Sequence, residues 1–190
     1  MRIIAWASAP INAKRFMLIG VKLCLMTAQI KKFLLPLGLL CALVALAFGL
    51  LNQPAAPDVT FTTIKGERIS MASLKGKAVL VSFWATDCRS CIKEMPDLVN
   101  TYNTYSTKGF EVIAVAMPYD PPAQLQNYVT QKKLPFPVMH DGFSEVTRAF
   151  GGINATPTAF LFDKQGKRLY RKTGILDFEN LRTTLNKELG

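Results

Sequence analysis

The sequence has few of the side chains that bind metal ions or form a framework of structural disulfides. Its 190 residues include a single histidine, His140, and four cysteines. Cys24 and Cys41 lie before or within a long apolar segment, which leaves only Cys88 and Cys91 for the remainder of the chain. A structural zinc site needs two further soft ligands beside one such pair. We therefore expect no bound metal and no cofactor other than a redox-active disulfide.

Acidic residues are absent from the first part of the chain. None precedes Asp58, whereas six basic residues do, and they supply most of the net charge of +10. Residues 58–190 hold the other 17 basic side chains and all 13 acidic ones, with the two signs interspersed. Nucleic-acid binding requires lysine and arginine clustered on one face. This distribution excludes a nucleic-acid partner.

Residues 33–51 form a run of 19 residues without a charge, directly after Lys31 and Lys32. As a helix the run would extend about 28 Å, close to the thickness of the hydrocarbon core of a bilayer. The basic flank predicts a single-pass anchor in the inner (cytoplasmic) membrane, with residues 1–32 in the cytoplasm and the C-terminal domain in the periplasm or extracytoplasmic space. A cleaved signal peptide is the alternative, and both interpretations export the domain.

Two shorter segments flank this run. Residues 1–25 show no amphipathic period, and the sequence from Met26 onward would by itself make an ordinary export leader. The alternative to a cytoplasmic segment is therefore that translation starts downstream of Met1. Residues 52–57 (NQPAAP) form a polar, proline-rich linker. We place the globular domain at 58–190.

Hydrophobic patterning in residues 58–190 alternates between strand and helix, which predicts an α/β domain. A short hairpin turned at Gly66 comes first, and residues 78–84 (AVLVSFW) are typical of a central strand covered on both faces. The predicted strands are 61–64, 68–71, 78–84, 111–117, 136–139, 158–163 and 167–173, and the predicted helices are 88–106, 122–133, 144–150 and 178–189.

Cys88 and Cys91 are spaced C-x-x-C immediately after the buried strand, where the next helix begins. Free backbone N–H groups and the positive end of a helix favour a thiolate over a thiol. We therefore predict that Cys88 is the attacking thiol. Cys91, one turn inside the helix, would be the resolving thiol that releases the partner. A copper-binding or holdase module built on a related fold is the alternative from a different functional class.

The cysteine pair lies in the motif Phe83-Trp84-Ala85-Thr86-x-Cys88-x-x-Cys91-x-x-Glu94-Met95-Pro96, and a second motif, Ala155-Thr156-Pro157-Thr158, follows later in the chain. Together the two motifs resemble the TlpA/ResA group of membrane-anchored, thioredoxin-like thiol-disulfide oxidoreductases. The resemblance spans essentially all of residues 58–190. It implies a thioredoxin-like fold, with a central mixed sheet flanked by helices. It also implies an N-terminal β-hairpin and a central insertion at about residues 119–140.

The resemblance also assigns roles around the cysteine pair. Pro157 should follow a cis peptide bond beside the disulfide, and the backbone of Thr156 should pair with a bound client chain. Glu94 should relay a proton to Cys91, the alternative being a solvated helix carboxylate. Trp84 is expected to pack beside the site and to contact partners.

We expect a monomeric reductase that receives electrons from a membrane thiol-electron carrier and reduces disulfides in client proteins. An oxidant that installs disulfides is the alternative within the same chemistry. Asp87 and Glu94 should disfavour the thiolate of the reduced form, offsetting Arg89 and the helix end. A cysteine pair whose reduced form is less stable has a more negative reduction potential, so it is the stronger reductant.

Overall fold

The computed structural model describes residue 36, residues 38–49 and residues 55–190. The chain divides into two units, residues 1–52 and residues 53–190, and each is described by itself. In the first unit, residue 36 and residues 38–49 are helical (α1). Within the described part of the chain no helix is both long enough and apolar enough to cross a membrane. The rest of the expected anchor at 33–51, and all of residues 1–32, lie outside the described residues.

The second unit alternates strands and helices, as the patterning predicts. Its elements are β1 (Thr60–Thr62), β2 (Arg68–Ser70), β3 (Ala78–Trp84), α2 (Arg89–Tyr105), β4 (Phe110–Ala116), α3 (Pro122–Lys132), β5 (Val138–His140), α4 (Glu145–Ala149), β6 (Thr158–Phe162), β7 (Arg168–Thr173) and α5 (Phe178–Leu189). β1 and β2 pair antiparallel as a separate hairpin, and Gly66 in its turn has φ +84°, a conformation that costs glycine little.

The other five strands form one mixed sheet in the order β5-β4-β3-β6-β7. β3 is parallel to β4, and β4 is parallel to β5; β6 is antiparallel to β3, and β7 is antiparallel to β6. β3, β4, β5 and β7 therefore all end, and β6 begins, at the same end of the sheet. We call this the loop end, formed by residues 85–88, 117–121, 141–144, 153–157 and 174–177.

Two apolar cores cover the two faces of the sheet, and β3 contributes to both. Leu80 and Trp84 lie in the core that includes residues of α2 and α5, whereas Val81 and Phe83 lie in the core on the opposite face. All seven residues of β3 are buried. The interpretation of this segment as a central strand covered on both faces is therefore confirmed.

Two element boundaries differ from the predicted ones for identifiable reasons. The third parallel strand was expected at 136–139 but begins at Val138, because Pro137 has no N–H to donate to the ladder. Only the carbonyl of Pro137 takes part, accepting the N–H of Ala114 at 2.9 Å. The helix expected from residue 88 begins at Arg89, because Cys88 has the extended backbone of an N-cap residue.

Phe150 provides a test of the core on the face opposite α2. Its ring centroid lies 5.1 Å from that of Phe83 and 5.0 Å from that of Phe160, and it is 6% exposed. We predict that Phe150→Ala lowers the free energy of unfolding by about 3–5 kcal/mol, because it removes a buried ring and leaves a cavity. Urea unfolding of the full chain measures the change. Phe143→Ala is the matched control, since Phe143 is 84% exposed, and it should stay within about 0.5 kcal/mol of the parent. Equal losses in the two variants would contradict this description of the core.

Candidate functional site

Cys88 and Cys91 form a disulfide at the N-terminus of α2, with their Cα atoms 5.3 Å apart. Cys88 belongs to the loop that leaves β3, whereas Cys91 lies in the first turn of the helix. The two sulfurs differ in accessibility, because Cys88 is partly exposed and Cys91 is 0% exposed. A second protein can therefore reach Cys88 and cannot reach Cys91.

The sulfur of Cys88 lies among hydrogen-bond donors. The backbone N–H of Cys91 points to Cys88 Sγ at 3.3 Å, so the sulfur itself caps the helix. The Ser90 hydroxyl lies 3.4 Å from the same sulfur. After reduction, both groups can donate to a negatively charged sulfur, and the positive end of the helix adds to this effect. The geometry supports the role predicted for Cys88 as the attacking thiol.

Thr156 and Pro157 lie beside the disulfide, although they are distant from it in sequence. Thr156 and Cys88 line the same open surface depression, and Pro157 is buried. The peptide bond between Thr156 and Pro157 is cis, as the resemblance implies. Within residues 55–190, the main-chain N–H and C=O of Thr156 form no hydrogen bond. They are free to pair with another chain at this position.

Glu94 follows Cys91 by three residues in α2, a spacing that places two side chains on the same face of a helix. It is 4% exposed, and one carboxylate oxygen accepts the backbone N–H of Leu176 at 3.0 Å. Burial raises the pKa of Glu94 above its ordinary value of 4.5, and the hydrogen bond from Leu176 only partly opposes this. The alternative of a solvated helix carboxylate is wrong. A buried carboxyl group with a raised pKa is suited to take a proton from the neighbouring thiol.

Trp84 is buried beside the site rather than exposed at its surface. Its side chain is 1% exposed and packs against the ring of Tyr128, with centroids 5.4 Å apart. Because side chains alternate along a strand, Trp84 at the end of β3 points into the core that includes α2 rather than toward the surface. The structure shows the packing role of Trp84, whereas its expected contact with partners stays a prediction.

Asp120, which the sequence did not single out, connects two loops of the site. It is 1% exposed, and its carboxyl group accepts hydrogen bonds from both the backbone N–H and the hydroxyl of Thr86. Thr86 is two residues before Cys88, so Asp120 fixes the loop that carries the accessible sulfur to the loop that follows β4. The sequence does contain one indication of this role, because Asp120 is an acidic residue that follows the buried strand β4 by four positions.

Tyr119 and Ile175 were also missed. Tyr119 is 58% exposed, and its hydroxyl lies 3.5 Å from the hydroxyl of Thr156. Ile175 is 49% exposed and lines the same depression as Cys88. In the described residues, no group of three histidine, cysteine, aspartate or glutamate side chains is arranged to hold a metal ion.

Comparisons with known proteins agree with this geometry. The Redoxin family model matches residues 51–185. The thiol-disulfide oxidoreductase ResA of Bacillus thuringiensis subsp. konkukian is 37% identical over 132 residues, covering 70% of this chain and 75% of the relative. The ResA of Bacillus subtilis is 33% identical over 121 residues, covering 64% of this chain and 66% of the relative.

Solved structures are similar as well. The crystal structure of a thiol:disulfide interchange protein of the thioredoxin family from Chlorobium tepidum superposes with a TM-score of 0.67 at 32% identity, covering 73% of this chain and 98% of that one. The crystal structure of StoA from Bacillus subtilis gives a TM-score of 0.59 at 27% identity, covering 68% of this chain and 98% of that one.

The raised pKa of Glu94 makes stability depend on pH. Between 4.5 and the raised pKa, the unfolded chain loses this proton while the folded chain keeps it, so the free energy of unfolding falls as pH increases. Glu94→Gln keeps an oxygen that can accept from Leu176 and removes the titration. We predict that the variant gains stability relative to the parent as pH increases from 4, and that the difference then levels off. Urea unfolding between pH 4 and pH 9 measures it. A difference independent of pH would contradict the buried, proton-holding carboxyl group.

Proposed function

The chain belongs to the Redoxin family and is a thiol-disulfide oxidoreductase of the ResA type, and from this premise we propose that it reduces disulfides in client proteins. The observation that carries the proposal is the asymmetry of the pair. Cys88 is accessible and close to hydrogen-bond donors, whereas Cys91 is fully buried one helical turn before Glu94, whose carboxyl group can hold a proton. One sulfur is suited to attack a client and the other to resolve the complex.

The reduction proceeds in two exchanges. The Cys88 thiolate attacks one sulfur of a client disulfide, which forms a mixed disulfide and releases the client's other sulfur as a thiolate that takes up a proton. The Cys91 thiol then gives its proton to Glu94, and its sulfur attacks Cys88 Sγ. The bond to the client breaks, the client's second sulfur leaves as a thiolate, and the Cys88–Cys91 disulfide forms. Two electrons have moved from the pair to the client.

Two partners complete the cycle. A membrane thiol-electron carrier returns two electrons to the Cys88–Cys91 disulfide and so restores the reduced pair. The client binds with its backbone along Thr156, whose N–H and C=O have no partner within residues 55–190. The protein acts as a monomer, since each domain carries both sulfurs and the proton acceptor.

Installation of disulfides is a second candidate, because one observation favours it. The donors from Cys91 N–H and the Ser90 hydroxyl stabilise a thiolate at Cys88, and stabilising the reduced form makes a pair more oxidising. Asp87 lies in the same depression and opposes this effect by repelling negative charge. Reduction is favoured because a proton acceptor beside the buried thiol serves the resolving step, in which Cys91 must become a nucleophile.

We further propose that residues 33–51 anchor the protein in the inner membrane and that the domain lies on the extracytoplasmic side. The support is the run of 19 uncharged residues preceded by Lys31 and Lys32. We predict that the native protein stays in the membrane fraction during alkaline carbonate extraction and dissolves only in detergent. Immunoblotting of both fractions checks this. Complete release by carbonate would contradict the anchor and favour the cleaved signal.

Substitution of the resolving thiol tests the reduction directly. Cys91→Ser leaves Cys88 able to attack but removes the sulfur that releases the client, so clients should accumulate as mixed disulfides in the native host. Non-reducing gels with mass spectrometry identify them. Cys88→Ser is the matched control and should trap nothing. If trapping depends on Cys91 rather than Cys88, the assignment of the attacking thiol is wrong.

A further inference from the structure

Basic side chains are concentrated at one end of the domain, although the two signs of charge are interspersed in the sequence. Three segments lie at the end of the sheet opposite the disulfide, where β3 and β4 begin and β6 turns into β7. They are residues 75–77, 106–109 and 163–168, and we call them the base end. Of the 17 basic and 13 acidic side chains in residues 58–190, six basic and one acidic lie in these segments, which leaves 11 basic and 12 acidic for the rest. The base end is therefore the positive part of a domain that is otherwise nearly neutral.

Backbone hydrogen bonds join the three segments into one surface. The N–H of Gly76 donates to the carbonyl of Lys164 at 2.8 Å, and the N–H of Ala78 donates to the carbonyl of Gly109 at 2.9 Å. The basic side chains gathered in this way are those of Lys75, Lys77, Lys108, Lys164, Lys167 and Arg168. Cations brought together at one end of a domain repel one another and attract a negatively charged partner.

Most of this positive charge is not neutralised by the domain itself. Lys77 forms an ion pair with Glu111 at 2.8 Å, and the other five basic side chains of the base end form none within residues 55–190. The carboxylate of Asp163, the one acidic residue of the base end, accepts two backbone N–H groups of its own turn at 2.8 and 2.9 Å. All five basic side chains without an ion pair are exposed or partly exposed. They are available to a partner outside the domain.

The chain enters the domain at the base end. The N–H of Ala56 donates to the carbonyl of Gly166 at 2.8 Å, and Ala55 forms a β-bridge with Lys167. The uncharged run at 33–51, proposed above as a membrane anchor, ends four residues before Ala55 in the sequence. Because a chain spans at most about 3.6 Å per residue, a membrane that holds this run lies within about 15 Å of Ala55.

We propose that the base end lies on the anionic phospholipid headgroups of the membrane that holds the anchor. The choice of occupant rests on the anchor proposed above and not on the direction of electron transfer. Each lysine or arginine near a negatively charged bilayer adds to the attraction, and the lipid phosphates supply the charge that the domain lacks there. The seven residues of β3 separate the base end from the loop end by about 20 Å. Cys88 is thus directed away from the lipid, toward clients in water.

Lysine acetylation of the full chain tests this surface residue by residue. The protein is reconstituted in nanodiscs of phosphatidylcholine, alone or with about 30% phosphatidylglycerol, and pulses of N-hydroxysuccinimidyl acetate followed by mass spectrometry give the reaction rate of each lysine. We expect Lys75, Lys108 and Lys164 to react about fivefold more slowly with the anionic lipid. Lys93 and Lys172 lie outside the base end and should react equally with both lipids. Salt at about 0.5 M should remove the difference, because it screens exposed charges.

Charge reversal connects the protection to the base end. Lys164→Glu combined with Lys167→Glu should restore most of the reactivity of the remaining base-end lysines in the anionic nanodiscs. The hydrogen bonds that Lys164 and Lys167 form in this turn use their backbone groups, so the substitutions leave those bonds in place. Arg148→Glu combined with Lys172→Glu is the matched control, since both side chains are exposed, lie outside the base end and change the net charge equally. This control should keep the protection.

Several results would overturn the inference. Equal reaction rates of the base-end lysines with the two lipids would show that the surface does not bind anionic headgroups, as would protection that survives high salt or the charge reversal. A DNA duplex that protects these lysines where phosphatidylglycerol does not would assign the surface to nucleic acid. A chain that does not co-purify with the phosphatidylcholine nanodiscs would contradict the anchor itself and, with it, the occupant proposed here.

Discussion

The position of one sulfur at the start of one helix determines how the rest of the site is organised. Cys88 has an extended backbone and caps α2 through its sulfur, so the first turn of the helix directs a backbone N–H at the atom that must carry negative charge. The unpaired N–H groups of a helix N-terminus need an acceptor in any case. In this chain a reactive sulfur fills that requirement, and Cys91, one turn further on, is drawn into the core.

Burial separates the chemistry of the two thiols. A buried thiol is a poor nucleophile unless a neighbouring group takes its proton, and the carboxyl group of Glu94 on the same helical face is positioned for this. The backbone N–H of Leu176 holds that carboxyl group in place from the loop after β7. Asp120 plays a comparable part at the other sulfur, because it anchors Thr86 in the loop leading to Cys88. Loops from across the sheet thus stabilise both halves of the site.

The features of the site that are predictable from the sequence are those that depend on local pattern. The six apolar residues of β3, interrupted only by Ser82, and the C-x-x-C spacing that follows specify a buried strand and a helix start within about a dozen residues. Thr156 and Pro157 were placed through the resemblance to a known family. The side of the sheet that Trp84 faces was not predictable, because its strand is buried on both faces and no local signal says which side a terminal residue faces.

The grouping of exposed apolar side chains at the loop end was not predictable from the sequence for a different reason. Tyr119, Phe143 and Ile175 occupy three loops separated by long stretches of chain, and each one alone is an unremarkable apolar residue in a loop. They lie at the same end of the sheet only because the strands run in the order β5-β4-β3-β6-β7, which brings those loops to one end. Asp120 was missed for the same reason, since its partner Thr86 is on a different strand's loop.

Whether the Cys88–Cys91 pair donates electrons to clients depends on its reduction potential, which can be measured. The full-length protein is equilibrated with glutathione buffers of defined ratio, and the fraction of Cys88–Cys91 disulfide is measured by alkylation and mass spectrometry. We predict a potential nearer the roughly −270 mV of a reducing thioredoxin than the roughly −120 mV of an enzyme that installs disulfides. A value above about −150 mV would contradict it and identify the protein as an oxidant.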